Sequence, residues 1–302
     1  MNKEELTAMV AEILAGMGRE PAVKGADYRN TAPEPHRESP EYHEGDFVDD
    51  VTKLDLRKLY LVEGAAEPEK FKRMKEKTPA RLGCGKAGAR YKTLTMLRFR
   101  ADHAAAQDAV FSEIDEDFAR NHDLLPTKTR CDSKDEYLTR PDLGRCFDEH
   151  NAKAIQGVID KPPRVQIVVG DGLSSAAITA NAMDCLGAIR DGLRLRGIET
   201  GKAIFVKYCR VGAGDAVGDL TGCELVCVLV GERPGLVTDK SMSAYITYKP
   251  HTGVSESSRT VVSNIHAQGT PAVEAGAYVA ELIEKILKRK VSGVGLHLED
   301  GA

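Results

Sequence analysis

Apolar residues recur over the first eighteen positions with the period of a helix. Leu6, Met9, Val10, Ile13, Leu14 and Met17 fall at i, i+3, i+4, i+7, i+8 and i+11, which is one helical face, and Gly18 ends the run. From 19 to 45 the pattern stops. Pro21, Pro33, Pro35 and Pro40 stand among Gly, Glu and Arg with hardly an apolar side chain, a composition that predicts a disordered linker. A short amphipathic helix on such a tether has nothing of its own to bury its stripe against, so the pattern predicts a partner. Lys3, Glu5 and Glu12 on its polar face favour a groove in a protein over a lipid surface, where Lys and Arg would prevail.

Residues 46–150 read as a mostly helical N-terminal domain with basic loops. The stretch Leu94 to Asp117 runs without Gly or Pro and predicts a long helix, between the loops PARLGCGKAGARYKT (79–93) and YLTRPDLGR (137–145). From 151 to 302 the pattern changes. Val165 to Val169 is a β-branched run, and Ser174 is placed to cap a helix from Ser175 to Arg196. Ala203 to Tyr208, Leu225 to Val230, Ser243 to Tyr248 and Thr260 to Ile265 predict further strands, and Pro271 opens a closing helix that runs to Lys290. Apolar strands alternating with helices predict an α/β fold, a Rossmann-like parallel sheet covered on both faces. In such sheets a ligand sits beyond the carboxyl ends of the strands. The loops 170–174, 210–214 and 231–236 are therefore the candidate site, and Asp171 and Ser174 become candidate contacts on topology alone.

Charge and composition remove several functions. The 302 residues hold 42 Lys+Arg against 46 Asp+Glu, a net charge of −4, which argues against a general polyanion binder. Aromatic residues make up 5% and Trp is absent, so nucleic-acid stacking platforms are not expected. The longest apolar runs fall far short of the ~20 residues of a membrane span, and Lys3-Glu4-Glu5 is no secretory opening. A soluble intracellular protein is expected. Seven cysteines without a C-x-x-C read as buried thiols, not as a disulfide or zinc framework.

Familiar motifs come close and fail. Gly170-Asp171-Gly172 begins like a dinucleotide fingerprint, but Ser175 replaces the third small residue and Cys209-Arg210 brings no acid for a ribose. Gly83 to Gly88 has P-loop spacing, yet Ala89-Arg90 stands where Lys-Ser/Thr grips phosphate. Asp102, His103 and His266 receive no chemical role, and no hydrolase triad is visible. The residues alone give a ligand-binding sheet domain with a tethered helix and no catalytic apparatus.

Six ordered blocks add to that reading: LRFRADHAAAQD (97–108), YLTRPDLGR (137–145), GDGLSSAAIT (170–179), VKYCRV (206–211), LVGERPGL (229–236) and SNIHAQG (263–269). From about Asp46 onward the chain resembles the small, or light, subunit of ethanolamine ammonia-lyase. The resemblance implies an adenosylcobalamin-dependent enzyme that converts ethanolamine to acetaldehyde and ammonia. Cobalt–carbon homolysis would give a 5′-deoxyadenosyl radical that abstracts a substrate hydrogen. Most catalytic residues would lie on a large subunit, a TIM barrel, with the small subunit covering the cobalamin from the other side. It further implies cofactor contacts at Val211 and Glu232, and a third at Val261, where the family often has Cys. No catalytic residue or metal ligand is assigned to this chain. Asp148-Glu149-His150 departs from the D-x-H-x-x-G pattern at Lys153, so the cofactor is expected to keep its own lower base. The opening helix resembles the family's signal for encapsulation in a bacterial microcompartment, which implies a shell as its partner. A non-catalytic scaffold and a nucleotide- or nicotinamide-binding subunit are the competing readings.

Overall fold

The computed structural model describes residues 50–78, 80–115 and 117–298. The helix expected at 1–18 and the linker at 19–45 lie outside the described residues.

The chain first lays down a 3-10 turn (Val51–Lys53), helix α1 (Pro68–Lys75), a hairpin of β1 (Lys86–Ala87) and β2 (Arg90–Tyr91), helix α2 (Thr93–Phe111) and the short α3 (Asp117–Asn121). Pro68 opens α1 where a missing N–H costs nothing. Lys75 closes it, buried, with its ammonium donating to the carbonyls of Leu56, Leu59 and Leu82, which ties the loops on either side of α1 together. Desolvation lowers the Lys75 pKa from its ordinary value. The predicted long helix is present as α2, but only Thr95 and Ala109 of its 19 residues are buried.

Six strands build one sheet: β3 (Leu125–Lys128), β4 (Val165–Asp171), β5 (Ile204–Lys207), β6 (Leu225–Gly231), β7 (Met242–Tyr248) and β8 (Arg259–Ile265), in the order β3-β5-β4-β6-β7-β8. All seven residues of β4 and of β6 are buried, as their unbroken apolar runs require of strands covered on both faces. β3, β5, β4 and β6 pair in parallel. β7 and β8 do not: β6 pairs with β7, and β7 with β8, antiparallel. The expectation of a wholly parallel sheet is corrected here to a mostly parallel one. Only residues 232–241 separate β6 from β7, too few for the crossover of a dozen or more residues that a parallel return needs. The sheet also reaches back across position 150, because β3 comes from the stretch expected to be helical. Pro126 is tolerated there because β3 is an edge strand.

Helices α4 (Lys134–Thr139) and α5 (Glu149–Gly157) precede β4; α6 (Ser175–Leu195), α7 (Ala213–Thr221), α8 (Ala272–Arg289) and α9 (Val294–Leu298) follow. On one face of the sheet, Ile167, Val169, Leu229 and Ile246 pack with Ile178 and Ile189 of α6 and Val279 and Ile283 of α8. The two helices meet closely at Gly276, where a Cβ would stand 2.6 Å from the Cys185 carbonyl oxygen and 2.7 Å from Ala188 Cβ. On the other face, Val168, Val206, Val226 and Val228 pack with Ile155 of α5 and Val217 of α7. That second cover leaves β8 partly bare, and Val261 is 45% exposed.

Candidate functional site

β4 leads by α6 to β5 on one side of it, while β6 leads to β7 on the other, so the carboxyl ends of β4 and β6 flank the point where the winding changes direction. The loops gathered there are the ones singled out from the sequence, but they contribute differently.

At the end of β4, Asp171 and Ser174 are fully buried. One Asp171 oxygen accepts from Ser175 Oγ at 2.6 Å and the other from the Ile114 N–H at 3.3 Å. Burial pushes its carboxyl pKa up, against the pull of the Ser175 hydroxyl and the Lys134 charge. Ser174 Oγ accepts from the Ala177 N–H at 3.0 Å, capping α6, and donates to the Asp239 carbonyl at 2.5 Å. Both side chains are thus bonded within the chain and closed off from solvent. The loop turns both inward, Asp171 toward the segment 112–114 and Ser174 toward the Asp239 backbone.

At the end of β5, two of the sequence blocks interlock. The Arg210 guanidinium lies 4.3 Å from the centre of the Tyr137 ring, and its Nη2 donates to the Tyr137 carbonyl at 2.7 Å. Tyr137 Oη in turn donates to the Cys209 carbonyl at 3.1 Å. A Cβ at Gly144 would come within 2.8 Å of Arg210 Cγ, so this approach requires glycine. The next residue, Val211, is half-buried against the sheet face that carries Val228, Val230 and Tyr245.

At the end of β6, the Glu232 N–H donates to the Ser241 carbonyl at 2.9 Å, closing the base of the β6–β7 loop. Its Oε1 accepts from Tyr245 Oη at 2.9 Å. Burial, with the Glu232 carboxylate beside it, pushes the Tyr245 phenol up to about 12, so it donates throughout the neutral range. Among the described residues Glu232 forms no ion pair, with Arg233 or any other base. Tyr245 is the register partner of Val228 on one side and of Val261 on the other. Residues opposite one another in register share a sheet face, so Val261, Tyr245 and the Tyr245-bound carboxylate of Glu232 line one ledge, with Val211 packed in the same cluster. Ser243, two residues before Tyr245, has a buried Oγ with no hydrogen-bond partner. Sequence reasoning missed Tyr245, although the alternation over 243–248 put it on this face.

The family model of the ethanolamine ammonia-lyase light chain matches residues 68–297. The chain belongs to that family. It is 52% identical over 296 residues to an ethanolamine ammonia-lyase small subunit of Clostridium perfringens, covering 98% of this chain and all of that one. Small subunits of Clostridioides difficile and Fusobacterium nucleatum are 51% and 50% identical over 298 and 287 residues, or 98% and 95% of this chain and 100% and 97% of theirs.

The name small subunit, carried by these relatives, implies a large subunit as partner. A buried ion pair lies beside the ledge on the same sheet face. Arg259, in register with Thr247, donates to both carboxylate oxygens of Asp215 at 2.7 Å and fixes the first turn of α7 to β8. The Asp215 carboxylate bonded to it raises the Arg259 pKa still further.

Proposed function

We propose that this light chain supplies one wall of an adenosylcobalamin site whose other wall is a large subunit, and that the pair deaminates ethanolamine to acetaldehyde and ammonia. The ledge fits the group. A corrin presents a broad apolar plane with peripheral amide donors; the ledge offers exposed Val261 and half-buried Val211 and Tyr245, with the Glu232 carboxylate as acceptor at its rim. When bound, adenosylcobalamin supplies the radical chemistry that the side chains of this chain do not. The work of the chain is to bind and to exclude water. Val211 and Val261 pack on the apolar plane, and Glu232 accepts from an amide or hydroxyl at its edge. Tyr245 holds one Glu232 oxygen so that the other is directed outward. Val261 acts by packing, so the family's frequent Cys at this place is not needed for its sulfur.

The observation that carries this reading is the exposed Val261 on β8 in register with Tyr245, whose hydroxyl holds the Glu232 carboxylate just past the carboxyl end of β6. The test is a visible-absorbance titration of adenosylcobalamin into the complex with the large subunit. Val261→Arg should abolish binding while the complex stays assembled, and Val261→Cys should bind within about twofold of wild type. Full binding by Val261→Arg would move the site elsewhere. The segment 1–18, whose apolar residues recur with a helical period, is read as the signal for encapsulation in a bacterial microcompartment.

A further inference from the structure

The β6–β7 loop, residues 232–241, carries Glu232 at its base and contains neither helix nor strand. Its far half is held from α6, by Ser174 Oγ donating to the Asp239 carbonyl and Asn181 Nδ2 donating to the Lys240 carbonyl at 2.9 Å. Its near half, 233–237, stands off the rest of the molecule: Leu236 and Val237 are exposed, and a cleft of about 280 Å³ lies between this half and α2. Among the described residues, one side chain reaches into the near half from outside the loop. Arg81, 155 positions earlier in the chain, donates from Nη2 to the Leu236 carbonyl.

Arg81 is itself held in place. Its Nη1 pairs with Asp102 Oδ2 at 2.6 Å, and its guanidinium lies 5.2 Å from the centre of the Phe99 ring. The other Asp102 oxygen pairs with Arg98 Nη2 at 2.8 Å, and Arg98 Nη1 donates to the carbonyls of Val51 and Thr52. Asp102 and Arg81 are largely shielded from water, their side chains 11% and 18% exposed, so the pair is screened less than one at the surface. A cation held on α2 by Asp102 and Phe99 therefore reaches the Leu236 carbonyl in the near half of the loop.

We propose that Arg81 is a positioning residue for the cofactor contact. It touches no cofactor; it fixes the near half of the loop so that Glu232, four residues before Leu236, is presented at the ledge. The proposal rests on the reading of Glu232 given above. Unlike that reading, it assigns a role to the basic loop 79–93, which supplies nothing to the ledge directly.

The test uses the complex with the large subunit and two readouts: amide hydrogen exchange over 233–237 without cofactor, and the adenosylcobalamin Kd by visible absorbance. Arg81→Met keeps the stem of the side chain and removes the guanidinium. It should speed exchange over 233–237 and weaken binding about tenfold, the size of one charge-assisted hydrogen bond. In a Glu232→Gln background it should weaken binding no further, because it acts through Glu232. Asp102→Asn loosens the same guanidinium from its other side, and serves if Arg81→Met does not fold; it should give the same pattern at smaller amplitude. Unchanged loop exchange, or a loss of affinity that adds fully to that of Glu232→Gln, would overturn the proposal. If Glu232→Gln itself left the Kd unchanged, the Glu232 reading would fail and take the positioning role with it. Faster exchange in Arg81→Met would then show a loop clamp with no part in cofactor binding.

Discussion

Glu232 and Tyr245 form the polar part of the ledge, and single substitutions separate their contributions. Glu232→Gln keeps the shape and an acceptor but removes the charge; it should weaken adenosylcobalamin binding about tenfold in an absorbance titration of the complex. Tyr245→Phe removes only the hydroxyl that orients the carboxylate, and a loss of about threefold is expected by the same titration. A loss with Tyr245→Phe exceeding that with Glu232→Gln would mean that the phenol meets the cofactor itself. Glu113 gives a prediction in pH. Its carboxylate pairs with Lys207 at 2.8 Å and accepts from Tyr208 Oη at 2.6 Å, and these contacts, Lys207 foremost, hold its pKa below the ordinary carboxylate value of 4.5. A carboxyl depressed in the folded state stabilises it above the unfolded pKa, and that stabilisation fades as the pH falls below 4.5 through the folded value. Glu113→Gln should therefore melt below wild type at pH 7, with the gap closing in melts run below pH 4. At this scale the sequence was an uneven guide. Val211, Glu232 and Val261 came from family resemblance; Glu232 and Val261 both adjoin Tyr245, and Val211 packs against the same sheet face. Asp171 and Ser174 came from topology alone, which names the end of a strand but not the direction in which a loop turns its side chains.

At the scale of elements, packing at the covered face and exposure at the ledge follow from local patterns. Gly276 lets α8 approach α6, and Gly276→Ala places a methyl where the Cys185 carbonyl and Ala188 already stand. The complex should lose about 1–3 kcal/mol, read from denaturant melts, while the ledge on the opposite face keeps its cofactor affinity once folded. β4 and β6 were legible because an apolar run without alternation fits only a strand buried on both faces. α8 was legible from its helical period: Ala275, Val279, Ala280, Ile283, Ile286 and Leu287 are its buried side. β3 was not, because a four-residue edge strand with a proline, Leu-Pro-Thr-Lys, carries too little pattern to be told from a loop. The antiparallel turn at β7 was half legible. Ser243 to Tyr248 alternates, as a strand with one face uncovered does, and the short connection of 232–241 forbids a crossover. Read together, these two facts would have placed β7 and β8 antiparallel and left their open face as the place to look for a ligand.

At the scale of the whole molecule, the proposed reading makes the ledge half a site: a second wall would cover the exposed Val261, and the word small in the names of the curated relatives implies a large subunit as partner. Removal of residues 1–18 should leave deamination by the complex intact and abolish recovery of the enzyme with purified microcompartments; a large loss of activity would show that the opening segment belongs to the catalytic assembly. The lower base of the cofactor is a further property of the whole site. With Lys153 breaking the D-x-H-x-x-G pattern, and with His266 engaged through Nδ1 by the Gln268 N–H and through Nε2 by Asn264, no histidine of this chain is expected on cobalt. Labelling the protein histidines with nitrogen-15 should leave the splitting of the cob(II)alamin electron paramagnetic resonance signal unchanged. The most direct measurement is ammonia release from ethanolamine and adenosylcobalamin by the large subunit alone, with this chain, and with its Glu232→Gln variant. Activity that requires this chain, and falls in the variant at cofactor concentrations near the wild-type Kd, is the expected result. A large subunit fully active alone, or a stable pair that is inert, would contradict the assignment of a cofactor wall to this chain.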